Sequence, residues 1–420
     1  MIKIKPADKP LRGTIKVPPD KSISHRAIIF SALFNSAVEV FNCLDAADVR
    51  STIGCMQALG ADIQRDGDSL LVKGNALRQS ATPLDAGNSG TTARLLTGLL
   101  AAQPFQSTII GDASLSKRPM ARVINPLKKM GADISARDDN FLPININPAK
   151  LHGIDYCLPV PSAQLKSALL LAALFADAKT TIDEPIPARD HTELMLAAFN
   201  ANITRDGNSI TLDPSAKLSA PDTIFVPADF SSAAFFIVLA AIIPDSLLTI
   251  KDVGVNPTRT GLLDVLRAMG ANITLSNLRT QAGEPRADLT VAYAPLHAAE
   301  LTADIIPRLI DEIPILAVAA AFAEGTSRFR DLAELRVKES DRLAAIVEQF
   351  NRIAPGAFRA EGDTLFIQGQ CPTRFADCHS LGDHRIAMAL TVFATAAHGA
   401  AIENQACVDI SFPNFFDYFC

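Results

Sequence analysis

Two acidic spots and a set of scattered cations in this chain have the residue types needed to move protons and hold anions. Ile310-Asp311-Glu312-Ile313-Pro314 sets two carboxylates at the start of an apolar run, and Val337-Lys338-Glu339-Ser340-Asp341-Arg342 crowds charged and polar residues together. A carboxylate beside arginines can do general acid–base work. Each spot also has a plain structural alternative. The first could cap a helix. The second could be a Glu339–Arg342 pair three residues apart on a helix face, worth only ~0.3 kcal/mol. The cations Lys21, Arg26, Arg94, Lys166 and Arg385 sit at or just inside predicted helix starts, with Arg118 and Arg189 a little downstream of such starts. Taken singly, each would be an ordinary solvated surface charge.

Their recurrence gives them weight. A polar cluster followed at once by an apolar run of helical length occurs six times, marked by Ser22, Ser89, Ala163, Ser231, Glu312 and His384, at steps of 67, 74, 68, 81 and 72 residues. A second pattern repeats independently: Leu59-Gly60-Ala61-Asp62-Ile63, Met130-Gly131-Ala132-Asp133-Ile134, Phe199-Asn200-Ala201-Asn202-Ile203 and Met269-Gly270-Ala271-Asn272-Ile273, with steps of 71, 69 and 70. Repeats of this size are supersecondary units that bury their apolar faces against one another. Helix N-termini present unpaired N–H groups and a partial positive charge. If the helices of one body run roughly parallel, several such ends and their cations converge, and the ligand to expect is small and multiply anionic. Gly87-Asn88-Ser89-Gly90-Thr91 looks like a phosphate-cradling loop but lacks the Gly-Lys-[Ser/Thr] ending of a nucleotide loop.

The first repeat shows the unit. Residues 13–17 form a β-prone run, and 22–34 have apolar Ile23, Ala27, Phe30 and Phe34 at helical spacing. Residues 37–41 read as a strand, and 48–59 as a helix with Asp48 as N-cap and Gly60 as stop. Strands 61–65 and 69–73 join through Asp66-Gly67, a hairpin signal that recurs at Asp206-Gly207. The order is β-α-β-α-β-β. Strands such as Ile63-Gln64-Arg65 alternate, so one sheet face meets water. Residues 167–176 and 233–243 are apolar nearly all round, so those helices must be buried. The predicted fold is α/β: two bodies of three βαβαββ repeats each, helices inside and sheets outside, an inside-out barrel. The boundaries fall at Pro18-Pro19 and Val226-Pro227, giving one body over 19–226 and the other over 1–18 plus 227–420.

Composition removes several function classes. With 48% hydrophobic and 20% charged residues, the 420-residue chain describes a soluble globular protein. A net charge of −6 argues against a general nucleic-acid binder. Seven scattered cysteines without a Cys-x-x-Cys pair indicate reduced thiols and a cytoplasmic location. Cys378-His379 lacks the tight four-ligand spacing of structural zinc, and no metal site is expected. The N-terminus has no signal-peptide core, and the apolar runs at 233–243, 313–322 and 386–397 fall short of the ~20 residues that span a bilayer.

The motifs together are specific. Pro19-Asp20-Lys21-Ser22-Ile23-Ser24-His25-Arg26, Gly87-Asn88-Ser89-Gly90-Thr91-Thr92-Ala93-Arg94, Gly111-Asp112 through Lys117-Arg118-Pro119-Met120, Ser162-Ala163-Gln164-Leu165-Lys166, Arg189-Asp190-His191-Thr192-Glu193, Asn256-Pro257-Thr258-Arg259, Arg336-Val337-Lys338-Glu339-Ser340-Asp341-Arg342 and Gly382-Asp383-His384-Arg385-Ile386-Ala387-Met388 resemble the 5-enolpyruvylshikimate-3-phosphate synthase (3-phosphoshikimate 1-carboxyvinyltransferase) family from end to end, in its class II-like bacterial subgroup. The resemblance implies two three-repeat bodies with substrates in the cleft between them, transfer of the enolpyruvyl group of phosphoenolpyruvate to the 5-hydroxyl of shikimate 3-phosphate with release of phosphate, no cofactor, no nucleic-acid or membrane partner, and a monomer. It implies that Lys21, Ser22, Arg26, Ser162, Ala163, Gln164, Arg189, Asp311 and Lys338 hold shikimate 3-phosphate, with Lys166 a further candidate. It implies that Lys21, Gly90, Arg118, Gln164, Arg342 and Arg385 hold phosphoenolpyruvate, and that Asp311, Glu339 and Lys21 are catalytic. Ile410 stands where many members carry a phosphoenolpyruvate-binding lysine. The sibling reaction on UDP-N-acetylglucosamine is disfavoured, because the loop Ser114-Leu115-Ser116-Lys117-Arg118-Pro119 has no cysteine. A non-catalytic repeat scaffold would have no need of so many charges at equivalent helix starts.

Overall fold

The computed structural model describes residues 1–419. The chain divides into two compact units: one comprises Pro19–Pro227 with Thr280–Glu284, the other Met1–Pro18, Ala228–Arg279 and the chain from Pro285 onward. Each has its own hydrophobic core.

The core of each unit is built on three apolar helices. Lys21–Ser31, Gly90–Leu100 and Ala163–Ala173 belong to the first, and Phe230–Ile242, Ile313–Phe322 and His384–Ala396 to the second. Every residue of Phe230–Ile242 is buried, as is Leu165–Ala173. A helix apolar on all sides has no face to give to water, so it can only be an interior element. Small residues let such helices approach closely. A Cβ added to Gly98 would come within 2.2 Å of the Ala168 carbonyl oxygen, so Gly90–Leu100 and Ala163–Ala173 touch backbone to side-chain-free backbone there.

Among the described residues, five four-stranded sheets and one of three strands surround these cores. Each four-stranded sheet repeats one scheme. In the second, Leu84–Asp85 pairs parallel with Ser107–Ile110, which pairs antiparallel with Phe141–Asn147, which in turn pairs antiparallel with Asp133–Arg137. The Asp-Gly turns form as expected, with Gly67 at φ +59° joining Asp62–Asp66 to Ser69–Lys73 and Gly207 at φ +56° joining Asn202–Asp206 to Ser209–Asp213. The alternation also appears in the burial of Ser69–Lys73, where Leu70 and Val72 are inside and Leu71 and Lys73 outside.

Two assignments in the first repeat differ from expectation. The β-prone run near residue 13 is a strand, Arg12–Ile15, but it pairs parallel with Leu247–Gly254 in the other unit's sheet. Thr223–Phe225 takes the vacant edge and pairs parallel with Ala37–Phe41. Ile2–Ile4 likewise completes the three-stranded sheet through Ala400–Glu403. The repeats are therefore circularly shifted: the N-terminal strands finish the unit that the C-terminal half begins. The chain passes from one unit to the other at Pro18-Pro19 and Pro227-Ala228, and Thr280–Glu284 returns briefly to the first. The second difference is Asp48. The helix Ala47–Ala58 starts after Ala46 with no side-chain cap, so Asp48 lies in the first turn and its carboxylate is available for another partner.

The close approach at Gly98 gives a test. Gly98→Ala should lower stability by ~1–3 kcal/mol, the usual cost of overpacking, seen as a lower urea midpoint with unchanged slope. An unchanged midpoint would mean that the two helices are not held this close.

Candidate active site

In the Pro19–Pro227 unit, the starts of the three core helices meet. Each is capped by a side chain: Asp20 accepts from Ile23 N at 2.9 Å, Ser89 from Thr92 N at 3.1 Å and Ser162 from Leu165 N at 3.4 Å. A cap satisfies one N–H and leaves neighbours for a ligand. Gln164 stitches two of the starts together: its Oε1 accepts from Arg94 Nη1 at 2.8 Å and its Nε2 donates to Thr91 Oγ1 at 3.1 Å. Arg26 stitches the third. Its Nε donates to Thr192 Oγ1 at 2.8 Å, Nη2 to Ser167 Oγ at 2.7 Å and Nη1 to the Ser22 carbonyl at 2.9 Å. Burial lowers the Arg26 guanidinium to about 10, with Glu193 opposing, so it stays charged at neutral pH.

Lys21 Nζ lies 3.3 Å from Asp48 Oδ2, and both side chains are partly exposed. Arg118 Nη2 donates to Asn88 Oδ1 at 2.9 Å, and Asn88 Nδ2 donates to Asp112 Oδ2 at 2.6 Å. Gly90 lies beside two guanidinium groups, since a Cβ there would come 2.8 Å from Arg94 Nη1 and 3.7 Å from Arg118 Nη1. Arg189, half-buried, lies in the segment before the helix His191–Ala198, near enough for its charge to oppose protonation of Arg26. Lys21, Ser22, Arg26, Gly90, Arg118, Ser162, Ala163, Gln164 and Arg189 thus fall on the joined helix starts or on the segments beside them.

Lys166 does not join them as a ligand donor. Its side chain is fully buried, with Nζ 2.7 Å from Glu184 Oε1, 2.6 Å from Glu193 Oε1 and 3.3 Å from the Ala188 carbonyl. Three donors meet three protein acceptors, which leaves none for a phosphate. Glu184 Oε1 also accepts from Ala188 N, so the pair pins the backbone next to Arg189. Burial pushes the Glu193 carboxyl up, against the pull of Lys166. Lys166 follows Gln164 by two residues on the same helix, a rotation of about 200°, so its side chain points into the core and not to the side of Gln164.

In the other unit, a second charged group surrounds Asp311. The turn Ile310–Glu312 precedes the helix Ile313–Phe322, and neither has a side-chain cap, so the capping alternative for these carboxylates does not hold. Asp311 Oδ1 lies 3.5 Å from Arg342 Nη1 and 3.7 Å from Lys338 Nζ, and Oδ2 lies 4.0 Å from Arg385 Nη2. Arg385 Nη1 donates to the Asp311 carbonyl at 3.1 Å. Arg342 is 1% exposed. Its Nη2 donates to Glu339 Oε2 at 2.6 Å and its Nε to Asp383 Oδ2 at 2.8 Å. Burial alone would pull this guanidinium down, but Glu339, Asp383 and Asp311 outweigh it and hold it above its ordinary value. Burial alone would raise the Asp383 carboxyl, and Arg342 instead keeps it below the usual range. The Glu339–Arg342 pair forms as expected but not on one helix: Asp341 caps Arg342–Ala345 by accepting from Ala344 N at 3.0 Å, and Glu339 lies before that cap. Glu339 is consequently exposed while its partner is buried.

Supporting residues outside the recognised motifs, namely Asp48, Ser167 and Glu184, act through partners distant in sequence. His25, by contrast, is inside a recognised motif. It is buried, with Nδ1 2.7 Å from Thr52 Oγ1, which continues to Thr92 Oγ1 at 2.7 Å and from there to the cap Ser89 Oγ at 2.7 Å. This hydroxyl chain links two of the helix starts.

The chain is similar to known proteins over nearly its whole length. The family model described as EPSP synthase (3-phosphoshikimate 1-carboxyvinyltransferase) matches residues 6–419. A 3-phosphoshikimate 1-carboxyvinyltransferase from Desulforudis audaxviator (strain MP104C) is 51% identical over 99% of this chain and 97% of that protein. The solved EPSP synthase from Acinetobacter baumannii superposes with a TM-score of 0.90 at 39% identity, covering 99% of this chain and 96% of that one. An enolpyruvyl transferase from Streptomyces tendae, at 18% identity and a TM-score of 0.81 over 99% of this chain and 96% of that one, shares the fold. The fold defines an enzyme of the enolpyruvyl-transferring repeat class, with a charged group at the helix starts of each unit. More narrowly, the chain belongs to the EPSP synthase (3-phosphoshikimate 1-carboxyvinyltransferase) family.

Two outcomes follow from the buried groups. Lys166→Met should cost ~3 kcal/mol, because it removes the buried cation between Glu184 and Glu193 and leaves them only Arg205, 2.7 and 3.5 Å away; a urea midpoint equal to wild type would contradict that pairing. His25 is lowered to about 3, chiefly by burial. The unfolded chain therefore binds its proton first. Stability should fall as pH drops from the ordinary value near 6.5 toward 3, by about 1.4 kcal/mol per pH unit. His25→Gln should remove that component, so the wild-type-minus-variant difference in unfolding free energy should slope with pH across this window and be flat above it. A difference flat throughout would show that His25 is not buried neutral.

Proposed function

We propose that the two charged groups serve one reaction: transfer of the carboxyvinyl group of phosphoenolpyruvate to the 5-hydroxyl of shikimate 3-phosphate, the step of aromatic amino acid biosynthesis that the family name describes. The observation that carries this is family membership over residues 6–419 together with the motif residues standing on joined helix starts. Both substrates carry a phosphate and a carboxylate. Such ligands suit capped helix starts and forked guanidinium groups.

In this reading Lys21, Ser22, Arg26, Ser162, Ala163, Gln164 and Arg189 hold shikimate 3-phosphate, with Asp311 and Lys338 touching it. Lys21, Gly90, Arg118, Gln164, Arg342 and Arg385 hold phosphoenolpyruvate. Lys166 is left out, since its donors are taken. The 5-hydroxyl oxygen bonds to C2 of phosphoenolpyruvate as a proton arrives at C3. The tetrahedral adduct then loses phosphate while a C3 proton leaves, which restores the double bond. Asp311 takes the hydroxyl proton. Glu339, exposed, enters the step protonated, delivers that proton to C3 and recovers one from C3 on elimination, while the proton held by Asp311 leaves with the departing phosphate; Arg342 holds the resting position of Glu339. Lys21 neutralises charge developing on the phosphate side. The chain works as a monomer in the cytoplasm; among the described residues no helix is long and apolar enough to cross a membrane.

The decisive assay mixes the protein with phosphoenolpyruvate and either shikimate 3-phosphate or UDP-N-acetylglucosamine. Phosphate release with the first acceptor only is expected; release with the second only would overturn the proposal in favour of the sibling reaction. Arg118→Ala should raise the KM for phosphoenolpyruvate by roughly 10-fold or more, the scale of a lost charged hydrogen bond, and change that for shikimate 3-phosphate far less; equal losses would contradict the assignment. Glu339→Gln should lower kcat by about 100-fold or more, with smaller changes in KM. A wild-type kcat would remove Glu339 from the chemistry.

A further inference from the structure

Beside Asp311 lies a second carboxylate to which no role has been given. Glu312 is 1% exposed. Its Oε1 accepts from Ser231 Oγ at 2.5 Å and lies 3.6 Å from Arg385 Nη1. Ser231 Oγ accepts in turn from Arg259 Nη2 at 2.7 Å, and that nitrogen also lies 3.3 Å from Asp229 Oδ1. Asp229 caps Phe230–Ile242 by accepting from Ser231 N at 3.1 Å. Glu312 therefore connects the starts of all three core helices of its unit: its own, that of Phe230–Ile242 through Ser231, and that of His384–Ala396 through Arg385.

A buried carboxylate is costly to keep. Helix capping does not account for this one, because Glu312 makes no side-chain cap bond to Ile313–Phe322. Its second oxygen, Oε2, is buried and accepts no hydrogen bond. The consequence falls on Arg385. That guanidinium has two anionic neighbours, Glu312 behind it and Asp311 with Oδ2 4.0 Å from Nη2. Without the charge of Glu312, the attraction of Asp311 would be unopposed. Arg385 would then swing onto the Asp311 carboxylate, which would withdraw one cation from the anionic ligand and occupy the proton acceptor in the same movement.

We infer that Glu312 is a positioning residue: with Ser231 and Arg259 it holds the Arg385 fork against the Asp311 backbone carbonyl and keeps it off the Asp311 side chain. The inference rests on the proposed carboxyvinyl transfer, in which Arg385 meets phosphoenolpyruvate. Asn256-Pro257-Thr258-Arg259, a motif with no part in the substrate contacts above, gains a purpose here, because Arg259 orients the Ser231 hydroxyl toward Glu312.

The test is steady-state kinetics of Glu312→Gln, with calorimetric titration of phosphoenolpyruvate in the presence of shikimate 3-phosphate and a melting curve. The variant keeps the size and one acceptor oxygen for Ser231, replaces the other oxygen with an amide NH2 and loses the charge. The KM and the dissociation constant for phosphoenolpyruvate should rise roughly 10- to 100-fold, the scale of a misplaced binding group. kcat should fall as well, while the KM for shikimate 3-phosphate stays within about threefold. Ser231→Ala, which removes the bond that orients Glu312 but leaves its charge, should shift the phosphoenolpyruvate constants the same way by a smaller factor, and it decides the matter if Glu312→Gln does not fold. Wild-type phosphoenolpyruvate affinity in the variants, or a parallel loss for both substrates, would overturn the inference. A wild-type chain that binds phosphoenolpyruvate but releases no phosphate would instead sink the functional proposal and leave the Glu312 comparison readable by calorimetry.

Discussion

A helix that is apolar on every side must be buried, yet its first-turn N–H groups need partners. This constraint organises both units. Five of the six core helices begin with an Asp or Ser side chain that caps one N–H, or two in the case of Asp383: Asp20, Ser89, Ser162, Asp229 and Asp383. The remaining N–H groups of each start lie beside those of its neighbours, because the helices pack together within one core. The result in each unit is a patch of partial positive charge that a small polar side chain or an anion can complete. The helix that departs from the rule, Ile313–Phe322, begins with Asp311 and Glu312 and turns their carboxylates toward cations instead of its own backbone.

Charge balance within each group follows. Arg342 is buried beside three carboxylates, and Arg26 is buried beside two hydroxyls and a carbonyl. These partners hold the guanidinium planes in place before any ligand arrives, which limits the ordering cost of binding. Among these carboxyls, Asp383 is held below its usual range by Arg342. Asp311 and Glu339 are less deeply buried, with side chains 14% and 34% exposed. In the proposed mechanism, Asp311, Glu339, Arg342 and Arg385 form one network within their unit, and a change to a supporting member such as Glu312 would reach the chemistry through Arg385.

Much of this was legible in the sequence. The repeat period, the all-round apolar helices and the Asp-Gly turns are local signals, and each fixed an element that the structure contains. The motif residues could be placed on helix starts because a cap residue precedes them. The misreadings have a common cause. Arg12–Ile15 has strand character, but its choice of partner, Leu247–Gly254, depends on a pairing across more than half the chain. Asp48 looked like a cap because Asp is a good one, and Lys21, a helix away, claimed its carboxylate. Lys166 shares a motif with Gln164, yet nothing in that motif reveals that Glu184 and Glu193 surround its ammonium group. Local propensity has no knowledge of buried ion pairs, whose members can lie anywhere in the chain.

The central claim is that helix starts and guanidinium forks jointly grip two anionic metabolites. A crystal structure with shikimate 3-phosphate and phosphoenolpyruvate, or an unreactive analogue of the latter, tests it most directly. The account predicts density for one anion against Lys21, Ser22 and the Ser162–Gln164 helix start, and for the other against Arg118, Arg342 and Arg385. Anions bound elsewhere on the chain, with those side chains still turned to their protein partners, would contradict it.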